Sequence, residues 1–218
     1  MLFFNRNRTI TKYQEYRETG KALNHKIIDR FVDRVIMLSS GKYLGLVGHG
    51  KRKTLIFDNE SESAGLMDFC INEYNIDGKN AAQLYKENEQ LDDIEAEILD
   101  ALVKSYTSLF KVIDVKEEDN KLILVDLLNK NCNPIEIIDI GLSLTAPVGL
   151  LIFLRLVPLA DFNISGGFGF GFNGDLEDFL LKEYKLRANN VKSSSESLKR
   201  YVAFFKLNRR YGIEAEYR

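Results

Sequence analysis

Tryptophan is absent from this 218-residue chain, and histidine and cysteine occur only twice each. These scarcities exclude several chemistries. His25, His49, Cys70 and Cys132 are scattered, with no CxxC pair, so the spacing of a zinc site is missing. No GxSxG elbow accompanies the two histidines, which leaves nucleophilic serine hydrolysis without a footing. Two isolated cysteines read as reduced, buried thiols in a reducing compartment. Long apolar runs are lacking too. The start, MLFFNRNR, is too short for a secretory leader. The uncharged stretch Ile140 to Leu154 falls short of the roughly 20 residues a spanning helix needs, and Pro147 interrupts it. The expectation is a soluble, cytoplasmic protein with no membrane partner and no cofactor.

What is present is ordinary in amount and uneven in placement. Apolar residues make up 45% of the chain and charged residues 28%, enough for a real core without metals or disulfides. The net charge is only −2. Yet residues 1–53 carry 12 Lys/Arg against 4 Asp/Glu, and residues 54–120 carry 5 against 17. Residues 121–180 carry 3 against 7, and residues 181–218 carry 10 against 4. Basic ends around an acidic middle fit self-association of the blocks, within one chain or between copies. They also allow a basic face for nucleic acid.

Hydrophobic periodicity divides the chain into three parts. In residues 1–107 the pattern is helical. A short helix is expected over Thr11 to Gly20 and a longer one over Ala22 to Leu38, ended by Ser39-Ser40-Gly41. Asp58 and Asn59 are good caps for a helix reaching about Tyr74, with Glu60 and Glu62 in its first turn. Two more helices follow over Asn80 to Glu87 and Leu91 to Tyr106. Residues 108–172 are the most apolar and least helical part. Strands are expected over Phe110 to Val115, Leu122 to Leu127, Ile135 to Ile140, Leu150 to Val157 and Phe162 to Phe172. Residues 173–218 return to helices, one opened by Asp175 and one over Leu198 to Leu207. The fold class is therefore α+β: a helical N-terminal region, a small antiparallel β-barrel or curved sheet, and C-terminal helices.

Four candidate constellations emerge. Gly45 to Lys51 has the glycine and lysine spacing of a phosphate loop, but Arg52 stands where Ser or Thr should hold Mg²⁺. Gly169-x-Gly171-x-x-Gly174 matches a dinucleotide fingerprint without the βαβ unit it requires; the glycines read better as room for close packing. Asp58, Glu60, Glu62 and Asp68 form the best carboxylate cluster, a metal-site candidate against the plainer role of capping a helix. Lys51, Arg52, Lys53, Lys199, Arg200, Arg209 and Arg210 are the nucleic-acid candidates, with Tyr201, Phe204 and Tyr211 interleaved. Arg155 is separate. It is the one charge in an apolar run, and a structural ion pair with Asp126 or Asp139 on a neighbouring strand is expected.

TLIFDNESESAGLMDFCINEY, followed by SLFKVIDVKEEDNKLILVDLLN and LTAPVGLLIFLRLVPLADFNISGG, resembles an uncharacterised bacterial protein family. The resemblance covers Thr54 to Gly167. It implies a helical part preceding a small barrel-like β module, in a bacterial cytoplasm. Related modules are similar to ones found beside metal-binding SEC-C motifs; this chain has no such Cys/His motif, so no zinc function is implied. The functional expectation is a non-enzymatic binding or protein-interaction protein, with a homo-oligomer or protein partner. The alternatives are a nucleic-acid-binding module and a metal-dependent hydrolase.

Overall fold

A computed structural model of the chain describes residues 2–48, 50, 53–129 and 133–213, with side chains from residue 8 onward. His49, Lys51, Arg52, Cys132 and the last five residues lie outside the described residues, and so does the phosphate-loop reading that rests on Lys51.

The first helix, α1 (Leu2–Phe31), is longer than the sequence suggests. It fuses the short helix expected before Gly20 with the one expected after it. Tyr13, Tyr16, Leu23 and Ile27 make a single buried stripe across both. Gly20 sits loosely inside, its nearest neighbour 4.0 Å from where a Cβ would lie. Continuity then fails where it was expected. Asp33 takes an extended conformation and its carboxylate accepts from the Ile36 amide at 2.8 Å, which starts α2 (Arg34–Leu44). The Ser39-Ser40-Gly41 stop is inside α2, with Ser40 and Gly41 buried; Gly45, in the left-handed region with φ 79°, is the true stop.

The helix α3 (Glu60–Asn72) is capped by Asn59 as the sequence predicts. It is followed by α4 (Ala81–Asn88) and α5 (Asp93–Lys104), each opened by a reciprocal capping box. Then come β1 (Tyr106–Lys116), β2 (Lys121–Asp126), β3 (Ile135–Ile138), α6 (Ile140–Thr145), β4 (Leu151–Pro158) and β5 (Asn163–Phe172). The chain finishes with α7 (Glu177–Asn189) and α8 (Glu196–Tyr211). The segment after Asp139 holds α6 where only turns were expected. Asp139 caps that helix by accepting from the Leu142 amide at 3.0 Å.

The five strands close into a barrel in the order β1-β2-β3-β5-β4. Four seams are antiparallel; β3 and β5 run parallel and pair only at Ile137–Asn163 and Ile138–Ile164. A buried hydrogen bond from the Ser165 hydroxyl to Asp139 ties the start of α6 to β5. The barrel is thus closed and five-stranded, with one short helix, α6, between its third and fourth strands. Phe110, Val112, Leu122, Leu124, Ile137, Ile152, Leu154 and Leu156 pack together as one cluster, the barrel interior.

The glycine-aromatic alternation of β5 decides which side of the barrel the helices cover. Gly169 faces Ile152 of the interior cluster, and a Cβ there would be 3.4 Å from Ile152. Phe168, Phe170 and Phe172 face the opposite way and join Phe153, Phe69, Tyr201, Phe204 and Phe205 in the largest cluster. Phe153 stacks on Phe204 with ring centroids 4.5 Å apart, and Phe170 meets Phe205 edge-on at 5.5 Å. A second cluster joins α1, α4 and α5 to the barrel residues Ile138, Val157 and Ile164. The helical layers are thus seated on β4, β5 and the adjoining part of β1.

Candidate functional site

Three places carry the residues that the sequence marks as chemically interesting. The first is beneath α3. Arg155, in the middle of β4, is 2% exposed and lies on the helix-covered side. Its partners are not Asp126 or Asp139. They are Asp68 and Glu73, on and just after α3: Nε and Nη2 reach the two Asp68 oxygens at 2.8 and 3.0 Å, and Nη2 reaches Glu73 at 2.6 Å. Ser105 Oγ accepts from Nη1 at 3.2 Å. Burial alone would lower the Arg155 pKa; the coulombic pull of Asp68 and Glu73 outweighs it and drives the pKa above the ordinary arginine range. Asp126 is instead bonded to Ser108 at 2.5 Å and caps the turn after β2, while Asp139 serves α6 and Ser165.

The local sequence makes room for this triad. A Cβ at Gly166 would lie 2.8 Å from the Arg155 Cβ, so the first glycine of the Gly166-Gly167 pair lets the arginine stem pass β5. Tyr201 donates to the Gly65 carbonyl at 2.8 Å. Burial, and then the nearby Asp68 charge, raise its pKa well above the usual phenol value. Every charged group here is matched inside the fold, which is the arrangement of a tie between helix and barrel.

The second place joins two candidate sets that the sequence kept apart. Arg209, in the last turn of α8, reaches Asp58 at 2.6 Å, Glu62 at 2.7 Å and the Gly45 carbonyl at 3.0 Å. Glu62 is fully buried, and its other oxygen accepts from the Asp58 amide at 2.8 Å. An acidic candidate pair and a basic candidate are thereby ion-paired with one another and pin the end of α8 to the starts of α3 and of the loop after α2. Glu60 is exposed, and Asp68 belongs to Arg155. Among the described residues, no group of three or more His, Cys, Asp or Glu is arranged to hold a metal ion.

Of the other basic candidates, Lys51 and Arg52 lie outside the described residues. Lys199 pairs with Glu196 one turn earlier at 2.7 Å, Arg200 is partly buried, and Arg210 and Lys53 are exposed. The interleaved aromatics Tyr201 and Phe204 are buried in the core under α8. Tyr211 packs edge-on against Phe179 of α7 at 4.9 Å. Cys70 is buried, and burial first, with Asp68 adding to it, pushes its thiol up to about 11. At neutral pH it is a packed thiol and not a nucleophile.

The third place was not singled out by the sequence. On the side of the barrel away from the helical layers, β2 turns Lys121, Ile123 and Val125 outward. Val125 pairs across to Lys111, and Ile123 lies between Asp114 on β1 and Glu136 on β3. A bulge in β1 between Val112 and Asp114 throws Ile113 outward, and it is 40% exposed. Ile113, Ile123 and Val125 belong to none of the three core clusters. Lys121 reaches Glu136 at 2.6 Å, and Lys111 reaches Glu177 at 2.9 Å. At the foot of this face the β1–β2 connection is Glu117-Glu118-Asp119. The alternation of β2 was the available signal: its outward positions hold two β-branched aliphatics where a solvated strand would hold polar groups.

The chain belongs to a family of unknown function, DUF7986, whose model matches residues 7–218. No curated protein and no solved structure matches it. Among the described residues, no helix is long and apolar enough to cross a membrane.

Proposed function

We propose that this chain is a non-enzymatic protein-interaction protein, working in a bacterial cytoplasm and built as a barrel with one side kept open for a partner. The carrying observation is the one-sided coverage of the barrel. Helices bury the outward aromatics of β4 and β5, while Ile113, Ile123 and Val125 on the other side stay outside every core cluster. Ile113 is exposed and Ile123 and Val125 are half-buried, and aliphatics gathered in this way on a rigid sheet mark a contact surface more than scattered ones do. The segments 1–107, 108–172 and 173–218 act together in this reading: the first and last brace the barrel, and the middle one presents the face.

The test is light scattering of the purified chain, with affinity capture at native expression and stoichiometry measured by quantitative mass spectrometry. The reading expects a homo-oligomer or a stoichiometric protein partner. A strict monomer that captures nothing in stoichiometric amount overturns it.

The barrel topology favours one second reading. OB-type barrels, five-stranded like this one, present the face of strands 2 and 3 to oligonucleotides. Lys53, Arg200 and Arg210 would supply cations at the periphery of the molecule. Mobility shifts with mixed RNA and DNA at low salt, weakening steeply as salt rises, would support it. No shift at low salt removes it.

A further inference from the structure

We infer that the open β1–β2–β3 face takes a polypeptide segment carrying alternating aliphatic and Lys/Arg side chains. This inference rests on the protein-interaction reading above and specifies its surface and its partner.

The apolar part comes first. Ile123 and Val125 are two residues apart on β2, so their side chains stand on one face about 7 Å from each other. Ile113, thrown outward by the bulge, extends the strip onto β1. These three β-branched side chains are stiff and sit on paired strands, so little is lost in ordering them against a partner.

Charge then selects among partners. Glu136 is neutralised by Lys121 at 2.6 Å, with Lys116 at 3.9 Å. Lys111 is engaged by Glu177. Asp114, Glu117 and Glu118 lie beside the strip, are exposed, and have no cation paired with them among the described residues. The unmatched charge around the aliphatics is therefore negative. A phosphate backbone meets repulsion there. A second copy of this face would place acid against acid. A segment bringing Lys or Arg around an aliphatic centre meets both features.

The experiment is selection of a displayed random 12-residue peptide library on the full-length chain, followed by hydrogen exchange with the enriched peptide. The expected enrichment is for Ile, Val or Leu interspersed with Lys and Arg, with protection over residues 111–126 and 135–138. I123D should weaken the selected peptide at least tenfold. The pair E117K/E118K should weaken it several-fold and flatten its salt dependence. I123T keeps a β-branched residue on the strand and reads out loss of the aliphatic contact if I123D fails to fold. Enrichment of acidic peptides, unchanged affinity in I123T, or no enriched peptide overturns the inference. So does a (dT)15 or (rU)15 oligonucleotide whose binding is lost in I123T. Peptides that bind but protect a different surface overturn this assignment while leaving the interaction reading intact.

Discussion

Replacing Arg155 by methionine should be among the most damaging single changes in this protein. The arginine is 2% exposed, and it is the cation that matches Asp68 and Glu73, themselves 7% and 4% exposed. R155M keeps most of the stem volume and removes the charge. Two carboxylates then remain buried, with the Asn72 amide at 3.0 Å as a neutral donor to Asp68. Breaking a buried pair from one side costs about 3–5 kcal/mol. A domain of this kind is stable by about 5–15 kcal/mol, so roughly a third of the total is at stake. For a chain near this length, 1 kcal/mol moves Tm by about 2–4 °C, which predicts a fall of about 6–20 °C. Urea titration followed by circular dichroism gives the free energy, and a thermal scan gives the shift.

The comparison that isolates the cause is R155M/D68L/E73L. It removes all three charges and should recover much of the loss, since apolar replacement of a whole buried network is often neutral or stabilising. A loss under about 1 kcal/mol for R155M would refute the reasoning, because unmatched buried carboxylates cannot be that cheap. A triple variant no better than the single one would place the cost in packing against Gly166 instead.

Three further outcomes follow from particular contacts. G65A should destabilise by about 1–3 kcal/mol in urea titration, because its Cβ would lie 2.7 Å from the Phe170 ring and 3.2 Å from Phe205, where α3 packs on β5. D33A should cost about 1 kcal/mol and loosen amide-exchange protection at Ile36, because the Asp33 carboxylate caps α2. Cys70 gives a pH dependence: its folded thiol is raised from 9.0 to about 11, so the neutral form is favoured by folding. That contribution is complete below pH 9 and is lost as pH rises through 11, up to about 3 kcal/mol. C70A should flatten the alkaline limb of the stability profile, and native Cys70 should resist alkylation at pH 8.

Much of the architecture was legible because short-range chemistry sets it. The caps Asn59, Asn80 and Asp92 sit where small polar side chains precede helical periodicity. The hairpin of β1 and β2 follows from two alternating runs flanking Glu117 to Asn120. The errors lie where sequence distance hides a contact. Asp33 interrupts a hydrophobic stripe that runs straight through it in the sequence, because a cap bond to Ile36 and the turn toward α3 outweigh periodicity. Sequence proximity points Arg155 to Asp126 and Asp139, 29 and 16 residues away. Its partners come from a helix 82 and 87 residues away, because β4 turns that position toward α3 and not toward β2.

Short-range patterns alone make this chain α+β, strand its apolar centre, and leave its histidines and cysteines too few and too scattered for a zinc motif. Local patterns suffice for these, since capping, alternation and composition act over a few residues. The strand order β1-β2-β3-β5-β4, the meeting of Arg209 with Asp58 and Glu62, and the side of the barrel left open arise from packing across long sequence separations. Strand pairing is settled by closure of the barrel over a common interior, and the covered side by where the aromatics of β5 find α3 and α8. The face of Ile113, Ile123 and Val125 is what that packing leaves over.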